Sequence, residues 1–105
     1  MHNIFHNLPV DPCDEQLSDL LVRSGVRIER IVSMGQATPP GQWLLQHWDE
    51  WVLVLTGIAG VTLEGEEPYR LGRGDSLFIP ANTRHRVDWT DEHQATLWLT
   101  VHIGE

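Results

Sequence analysis

Eight short segments rich in β-branched and aromatic residues follow one another after residue 25, separated by Gly, Pro, Asn and Asp. Each predicts a β-strand, because such residues pack well on a pleated surface and the residues between them favour turns. The predicted strands are 27–33, 43–47, 51–56, 60–64, 69–71, 76–79, 84–89 and 95–103. Parallel α/β units would need helices between strands, so the pattern predicts an all-β sandwich or barrel.

One segment before these strands has the spacing of a helix. Asp11 can cap it, Pro12 suits its first turn, and leucines 17, 20 and 21 recur at intervals of three and four residues. Gly25 is placed to end the segment. We therefore expect one short N-terminal helix over about residues 11–25, packed across an edge of a barrel that spans about residues 27–104.

The length and charge of the chain limit its functions. Its 105 residues form a single expected domain, 1–105. Fifteen acidic residues against seven basic ones give a net charge of −8, which disfavours nucleic acid as a partner. The lone Cys13 excludes an intrachain disulfide and fits a reducing compartment. Without a signal-peptide pattern or a run long enough to span a membrane, the chain is expected to be cytoplasmic, with no membrane partner.

Two predicted strands carry information about burial. In 96–103 the four aliphatic residues alternate and share one face, so that face is expected to be core, with Trp98 and His102 on the other. The segment 51–55 is apolar on both faces, so its outer side must be covered. This favours a homodimer, although a second layer within the chain explains the pattern equally well.

Side chains that could bind a metal lie in two segments. Gln46, His47 and Glu50 are close together within 41–57, and His85 ends the segment 74–85 after a turn that contains a proline. An imidazole and a carboxylate on adjacent strands, both pointing into a barrel, can share one divalent cation. The spacing alone leaves open whether they meet.

The second of these segments resembles a motif of the cupin superfamily, G-x5-P-x-G-x2-H-x3-N. Gly74, Pro80, Asn82 and His85 occupy its first four marked positions, with Asn82 in place of Gly and Trp89 in place of the final Asn. Asn tolerates the left-handed backbone that a turn can require, so Asn82 is a compatible replacement.

The first segment resembles the other cupin motif, G-x5-H-x-H-x(3,4)-E-x6-G, at its end. Glu50 and Gly57 match E-x6-G, but with the shorter spacing the two histidine positions fall on Leu44 and Gln46. The resemblance extends from about residue 27 to the C-terminus and is to small single-domain bacterial cupins of uncharacterised function. It implies a double-stranded β-helix, or jelly-roll barrel, that usually assembles as a homodimer.

The resemblance implies a metal site formed by His85, Glu50 and Gln46, holding a divalent ion such as Zn, Fe, Mn or Ni. Two other functions stay open: a metal-free barrel that binds a sugar or organic acid, and an isomerase in which His85 and Glu50 form an acid–base pair. Without a metal, Glu50 could hydrogen-bond to His85 or pair with Arg84 or Arg86. Neither the reaction, if there is one, nor its catalytic residues follow from the sequence.

Overall fold

The computed structural model describes residues 1–105 and is all-β. Its strands are β1 Gln16–Arg23, β2 Val26–Ser33, β3 Asp49–Thr56, β4 Ala59–Leu63, β5 Tyr69–Leu71, β6 Ser76–Ile79, β7 His85–Thr90 and β8 Thr96–Ile103. The structure has no helix that is long and apolar enough to cross a membrane.

The strands form two antiparallel sheets that enclose one core. The larger sheet has the order β1-β2-β8-β3-β6 and the smaller has the order β5-β4-β7. Aliphatic side chains and one indole from the facing sides of both sheets make up the core: Val52, Val54, Ala59, Val61, Leu63, Leu71, Ile79 and Trp98. The predicted all-β jelly-roll architecture is therefore confirmed.

The prediction of an N-terminal helix is wrong, because the structure has a β-strand in this segment. Residues 16–23 form β1, which pairs with β2 in a hairpin whose two-residue loop ends at Gly25, with a φ of 77°. The register shifts between Asp19 and Leu21, so Leu20 is an extra residue in the strand. Such a bulge breaks the alternation of a strand. The interrupted alternation gave the leucines a helix-like spacing, and Leu17 is in fact 57% exposed.

The other predicted strands agree with the structure except for the segment 43–47. That segment lies in the loop between β2 and β3 and contributes only an isolated bridge between Leu44 and His85. Two backbone hydrogen bonds form this bridge. The Leu44 amide donates to the His85 carbonyl at 2.7 Å, and the His85 amide donates to the Leu44 carbonyl at 3.0 Å. The loop is thereby attached to the first residue of β7.

The buried face of β8 is the opposite of the one predicted. Trp98, Thr100 and His102 point into the barrel and are buried, whereas Ile103 on the aliphatic face is 50% exposed. Leu97 is the one aliphatic residue of this strand that is fully buried. The prediction assumed an apolar interior, but the barrel interior at β8 is partly polar.

The aliphatic face of β8 belongs to the outer surface of the larger sheet. There Val101 pairs with Trp51, which in turn pairs with Phe78 of β6, and Leu99 pairs with Leu53. These side chains are half-buried, apart from Phe78, which is 51% exposed. The segment 51–55 thus has one face in the core and one on this outer surface.

Candidate functional site

The barrel contains a cavity of about 110 Å³ between the two sheets. Its walls are mostly aliphatic, and its polar or aromatic lining comes from Glu15, Glu50, His85, Trp98 and Thr100. These residues come from four separate parts of the chain: the segment before β1, then β3, β7 and β8, the last of which supplies two. The cavity therefore exists only when both sheets are assembled.

His85 begins β7 and is 3% exposed. Its Nδ1 lies 2.9 Å from the carbonyl oxygen of Thr83. A carbonyl can only accept a hydrogen bond, so Nδ1 carries a proton and the neutral ring has its lone pair on Nε2. Nε2 faces Glu50 Oε1 at 3.8 Å, beyond hydrogen-bond distance. His85 thus presents a free nitrogen lone pair to the cavity.

The turn before β7 places His85 in this position. Asn82 has a φ of 61°, in the left-handed region, as its place in the motif predicted. Its amide donates to the Gln46 carbonyl at 2.8 Å, and its side-chain Oδ1 lies 2.6 Å from Nδ1 of the exposed His47. The turn is therefore fastened to the loop that carries Gln46, while His47 points away from the cavity.

Glu50 is buried near the start of β3 and receives two contacts from ring or amide nitrogens. Gln46 Nε2 donates to its Oε1 at 2.7 Å, and His102 Nε2 lies 3.4 Å from its Oε2. The expected alternative, an ion pair between Glu50 and Arg84 or Arg86, is absent. Arg86 pairs with Asp88 at 3.0 Å instead, and Arg84 is exposed and forms no ion pair. The structure thus brings Gln46, Glu50 and His85 together, with Gln46 acting as a hydrogen-bond donor.

Two further polar residues of the interior, His102 and Glu29, were not among the site residues predicted from the sequence, although His102 was placed on the same face as Trp98. His102 lies directly across from Glu50 in the β3–β8 pairing, and its Nε2 is 3.6 Å from Glu29 Oε1. Burial is the main cause that raises the pKa of Glu29 above its usual value of 4.5, and the nearby His102 opposes this shift. The alternation of polar residues along β8 was the signal that could have identified His102.

The donor set does not complete a metal site of the expected kind. Glu50 and His85 supply two ligands, but the structure has no group of three His, Cys, Asp or Glu side chains that could hold one ion. Catalytic zinc usually has three protein ligands. Leu44, at a motif histidine position, has no donor atom, and Gln46 directs its amide nitrogen to Glu50. The residues present are therefore one ligand short.

Sequence and structure comparisons identify the family. The sequence profile described as "Cupin domain" matches residues 31–102. A crystal structure from Ralstonia eutropha JMP134, provisionally named a mannose-6-phosphate isomerase, has 47% identity and a TM-score of 0.95, covering 100% of this chain and 98% of that one. No curated protein matches the chain.

Two more distant structures share the fold. A protein from Thermus thermophilus is 20% identical with a TM-score of 0.82, covering 99% of this chain and 96% of its own. A cupin superfamily protein from Desulfitobacterium hafniense DCB-2 is 17% identical with a TM-score of 0.78, covering 93% and 84%. With its profile match over most of the barrel, its jelly-roll topology and its retained Glu50 and His85, the chain belongs to the cupin family.

Proposed function

We propose that the protein binds a small molecule in the barrel cavity and that His85 exchanges a proton with it without a metal. The observation that carries this proposal is the Nε2 atom of the buried His85 side chain, which faces the cavity with a lone pair and makes no hydrogen bond within the protein. An imidazole nitrogen with a lone pair is a hydrogen-bond acceptor. A bound molecule would supply the donor.

The surroundings of His85 suit a general base. When Nε2 takes a proton from a carbon or oxygen of the ligand, the bonding electron pair stays on the ligand and the ring becomes an imidazolium. Its Nδ1–H keeps the Thr83 carbonyl, and the new positive charge faces Glu50 at 3.8 Å. Return of the proton to a different ligand atom would complete an isomerisation.

The name of the Ralstonia eutropha protein supports an isomerase activity for this chain. It gives less support to mannose 6-phosphate as the substrate. The cavity of about 110 Å³ is lined by two carboxylates and by no lysine or arginine. A phosphate group would be repelled there, and a volume of about 30 Å³ for each water leaves space for only a few. The proposal therefore names proton exchange on a small molecule and does not extend to a sugar phosphate.

A divalent ion between Glu50 and His85 is the second candidate. Their facing atoms are 3.8 Å apart, a separation that two ligands of one ion can have, and the other nitrogen of His85 is held by a carbonyl, as is usual for metal-binding histidines. The ligand itself or water would have to fill the remaining positions. An ion held there would polarise a bound oxygen atom.

Hydrogen exchange in D₂O separates these candidates. Protein treated with EDTA is incubated with hydroxyacetone or aminoacetone, and NMR follows replacement of C–H by C–D beside the carbonyl. We expect exchange that persists in EDTA and is lost in His85→Gln. Exchange that appears only after addition of Zn²⁺, Mn²⁺, Fe²⁺ or Ni²⁺ would support the metal site. If neither condition gives exchange above the His85→Gln level, the proton-exchange proposal is wrong.

A further inference from the structure

We infer that the molecule bound in the cavity carries a positive charge and is a small ammonium compound. This inference rests on the proposed use of the cavity and adds the class of ligand. It begins from the side chains around the cavity, which include Glu15 and Glu50 but no arginine or lysine. Neither carboxylate has an arginine partner.

Glu15 is an unexpected member of this set, because it precedes β1 and lies outside both cupin motifs. Its Oε2 accepts a hydrogen bond from the hydroxyl of Ser33 at 2.8 Å, and that hydroxyl accepts one from Trp98 Nε1 at 3.1 Å. Ser33 is fully buried. A chain of two hydrogen bonds from the core therefore holds the Glu15 carboxylate at the cavity.

No arginine or lysine side chain pairs with these carboxylates. Arg86 is the arginine next to His85 on β7, but its guanidinium pairs with Asp88 and donates to the carbonyls of Thr38 and Gln42. It is thereby held outside the cavity. Glu50 is buried and accepts a hydrogen bond from the Gln46 amide, whereas Glu15, which also lines the cavity, is exposed. A cation entering the cavity would be attracted by both carboxylates, whereas an anion would be repelled by them.

Two other groups in the cavity suit an ammonium. The indole of Trp98 is 4% exposed and forms part of the wall, and the face of a tryptophan ring attracts cations, most strongly when they are desolvated. The unpartnered Nε2 of His85, on a side chain that is also almost completely buried, can accept a hydrogen bond from an N–H of a primary ammonium or from the hydroxyl of a quaternary ammonium alcohol such as choline. Carboxylates, an indole ring and a nitrogen lone pair therefore line one small space.

The shape of the space limits the size of the ligand. A second cavity of about 230 Å³ adjoins the first and shares Glu15, Leu44 and Val87 with it. Its remaining wall consists of three polar residues, Gln36, Thr38 and Gln42, together with Ala37 and Pro39. The charged head would lie in the inner cavity and a short tail would extend into the outer one.

Binding of choline chloride tests this inference against a neutral molecule of the same shape, 3,3-dimethylbutan-1-ol, and against sodium acetate. Calorimetry and thermal unfolding are measured at one ionic strength, kept constant with NaCl. We expect choline to bind at least about tenfold more tightly than the neutral isostere and acetate not to bind. A ligand that binds only the folded protein raises its unfolding midpoint.

Variants place the cation in the cavity. Glu50→Gln and Glu15→Gln should each weaken choline binding by about tenfold and leave the weak binding of the isostere unchanged. Glu67→Gln removes an exposed carboxylate and is the matched control for net charge. Equal affinity for choline and the isostere, or choline binding unaffected by both cavity variants, would overturn the ammonium inference. Neither result would affect the His85-dependent exchange in D₂O, so the two proposals can fail separately.

Discussion

The indole Nε1 of Trp48 donates a hydrogen bond to Nδ1 of His102 at 2.6 Å. An indole nitrogen can only donate, so Nδ1 of His102 is an acceptor and the ring proton is on Nε2. That proton points toward Glu29 and Glu50, whose oxygens lie 3.6 and 3.4 Å from Nε2. His102 therefore holds its Nε2 proton beside the interior carboxylates, with the Thr100 hydroxyl oxygen as its hydrogen-bond partner at 3.4 Å, and its Nε2 has no lone pair for a metal.

Trp48→Phe removes the donor and should release the tautomer of His102. We expect long-range ¹H–¹⁵N correlation spectra to show one protonated and one unprotonated ring nitrogen in the wild type, and averaged signals in the variant. Loss of one hydrogen bond should lower the free energy of unfolding by about 1 kcal/mol. Trp43→Phe, at an exposed loop position, is the control. An unchanged His102 spectrum in Trp48→Phe would show that the indole does not fix the tautomer.

Glu29→Gln should change how stability depends on pH. Because the pKa of Glu29 is raised in the folded protein, the folded state binds more protons than the unfolded one above about pH 4.5. The stability that Glu29 contributes is fully present below pH 4.5. It is lost as the pH rises through the pKa that Glu29 has in the folded protein. Burial is the largest cause of the raised pKa; Asp19 and Glu50 add to it, whereas His102 and Arg27 oppose it.

We therefore expect Glu29→Gln to gain stability relative to the wild type as pH increases from 4 to 7, as measured by urea unfolding at each pH. Gln keeps a donor where the protonated carboxyl has its O–H, so the interior remains filled. Glu64→Gln, at an exposed position, should follow the wild type throughout. A difference between Glu29→Gln and the wild type that stays constant with pH would contradict the raised pKa.

The strands were largely predictable because turn residues and alternating side chains are local signals. The exceptions have physical reasons. The bulge at Leu20 interrupts the alternation of β1, so its leucines acquired a helical spacing. The inward face of β8 carries Trp98, Thr100 and His102. A prediction that buries the more hydrophobic face would choose the opposite face, which carries four aliphatic residues.

The two motif glycines should differ in how they tolerate alanine. Gly57 and Gly74 both have positive φ angles, 83° and 86°. A Cβ on Gly57 would lie 2.5 Å from the backbone Cα of Thr96, whereas one on Gly74 would meet nothing within 4 Å. We expect Gly74→Ala to cost about 1–2 kcal/mol from the left-handed backbone.

Gly57→Ala should cost more, roughly 2–5 kcal/mol, because the clash with β8 adds to the backbone cost. Equilibrium unfolding in urea measures both values, and Gly74→Ala serves as the matched control. Equal destabilisation by the two changes would show that the approach of Gly57 to Thr96 relaxes without cost.

We propose that the outer face of β3, β6 and β8 pairs with a second copy of the chain, as the two-sided apolar strand 51–55 suggested. Analytical ultracentrifugation at micromolar concentration should give twice the chain mass of 12.0 kDa for the wild type. The Phe78→Glu variant should sediment as a monomer with the mass of one chain. Phe78 is exposed in the isolated chain, so this change should leave folding nearly unaffected. Phe5→Glu, at another exposed site, should remain dimeric. A monomeric wild type, or a dimeric Phe78→Glu, would contradict the proposal.

The site was only half predictable from the sequence. Glu50 and His85 were found because they occupy fixed positions in short motifs. Glu29 and His102 approach Glu50 through strand pairing, with Glu29 opposite Thr100 and Glu50 opposite His102. Glu15 reaches the cavity only because β1 is a strand that brings its preceding residue to Ser33. Such contacts depend on the register between distant segments, which single-sequence patterns do not specify.

The position of β8 between β2 and β3 has a consequence for how the protein folds. The two neighbouring strands have no direct pairing, so the larger sheet cannot close until β8 enters between them. Contacts between segments so far apart in sequence form slowly, because loop closure must precede them. The wall formed by Trp98 and Thr100 arrives with that strand, so a chain halted before β8 would have its motif residues without a binding site. Completion of the sheet and acquisition of ligand binding should therefore occur in the same kinetic step.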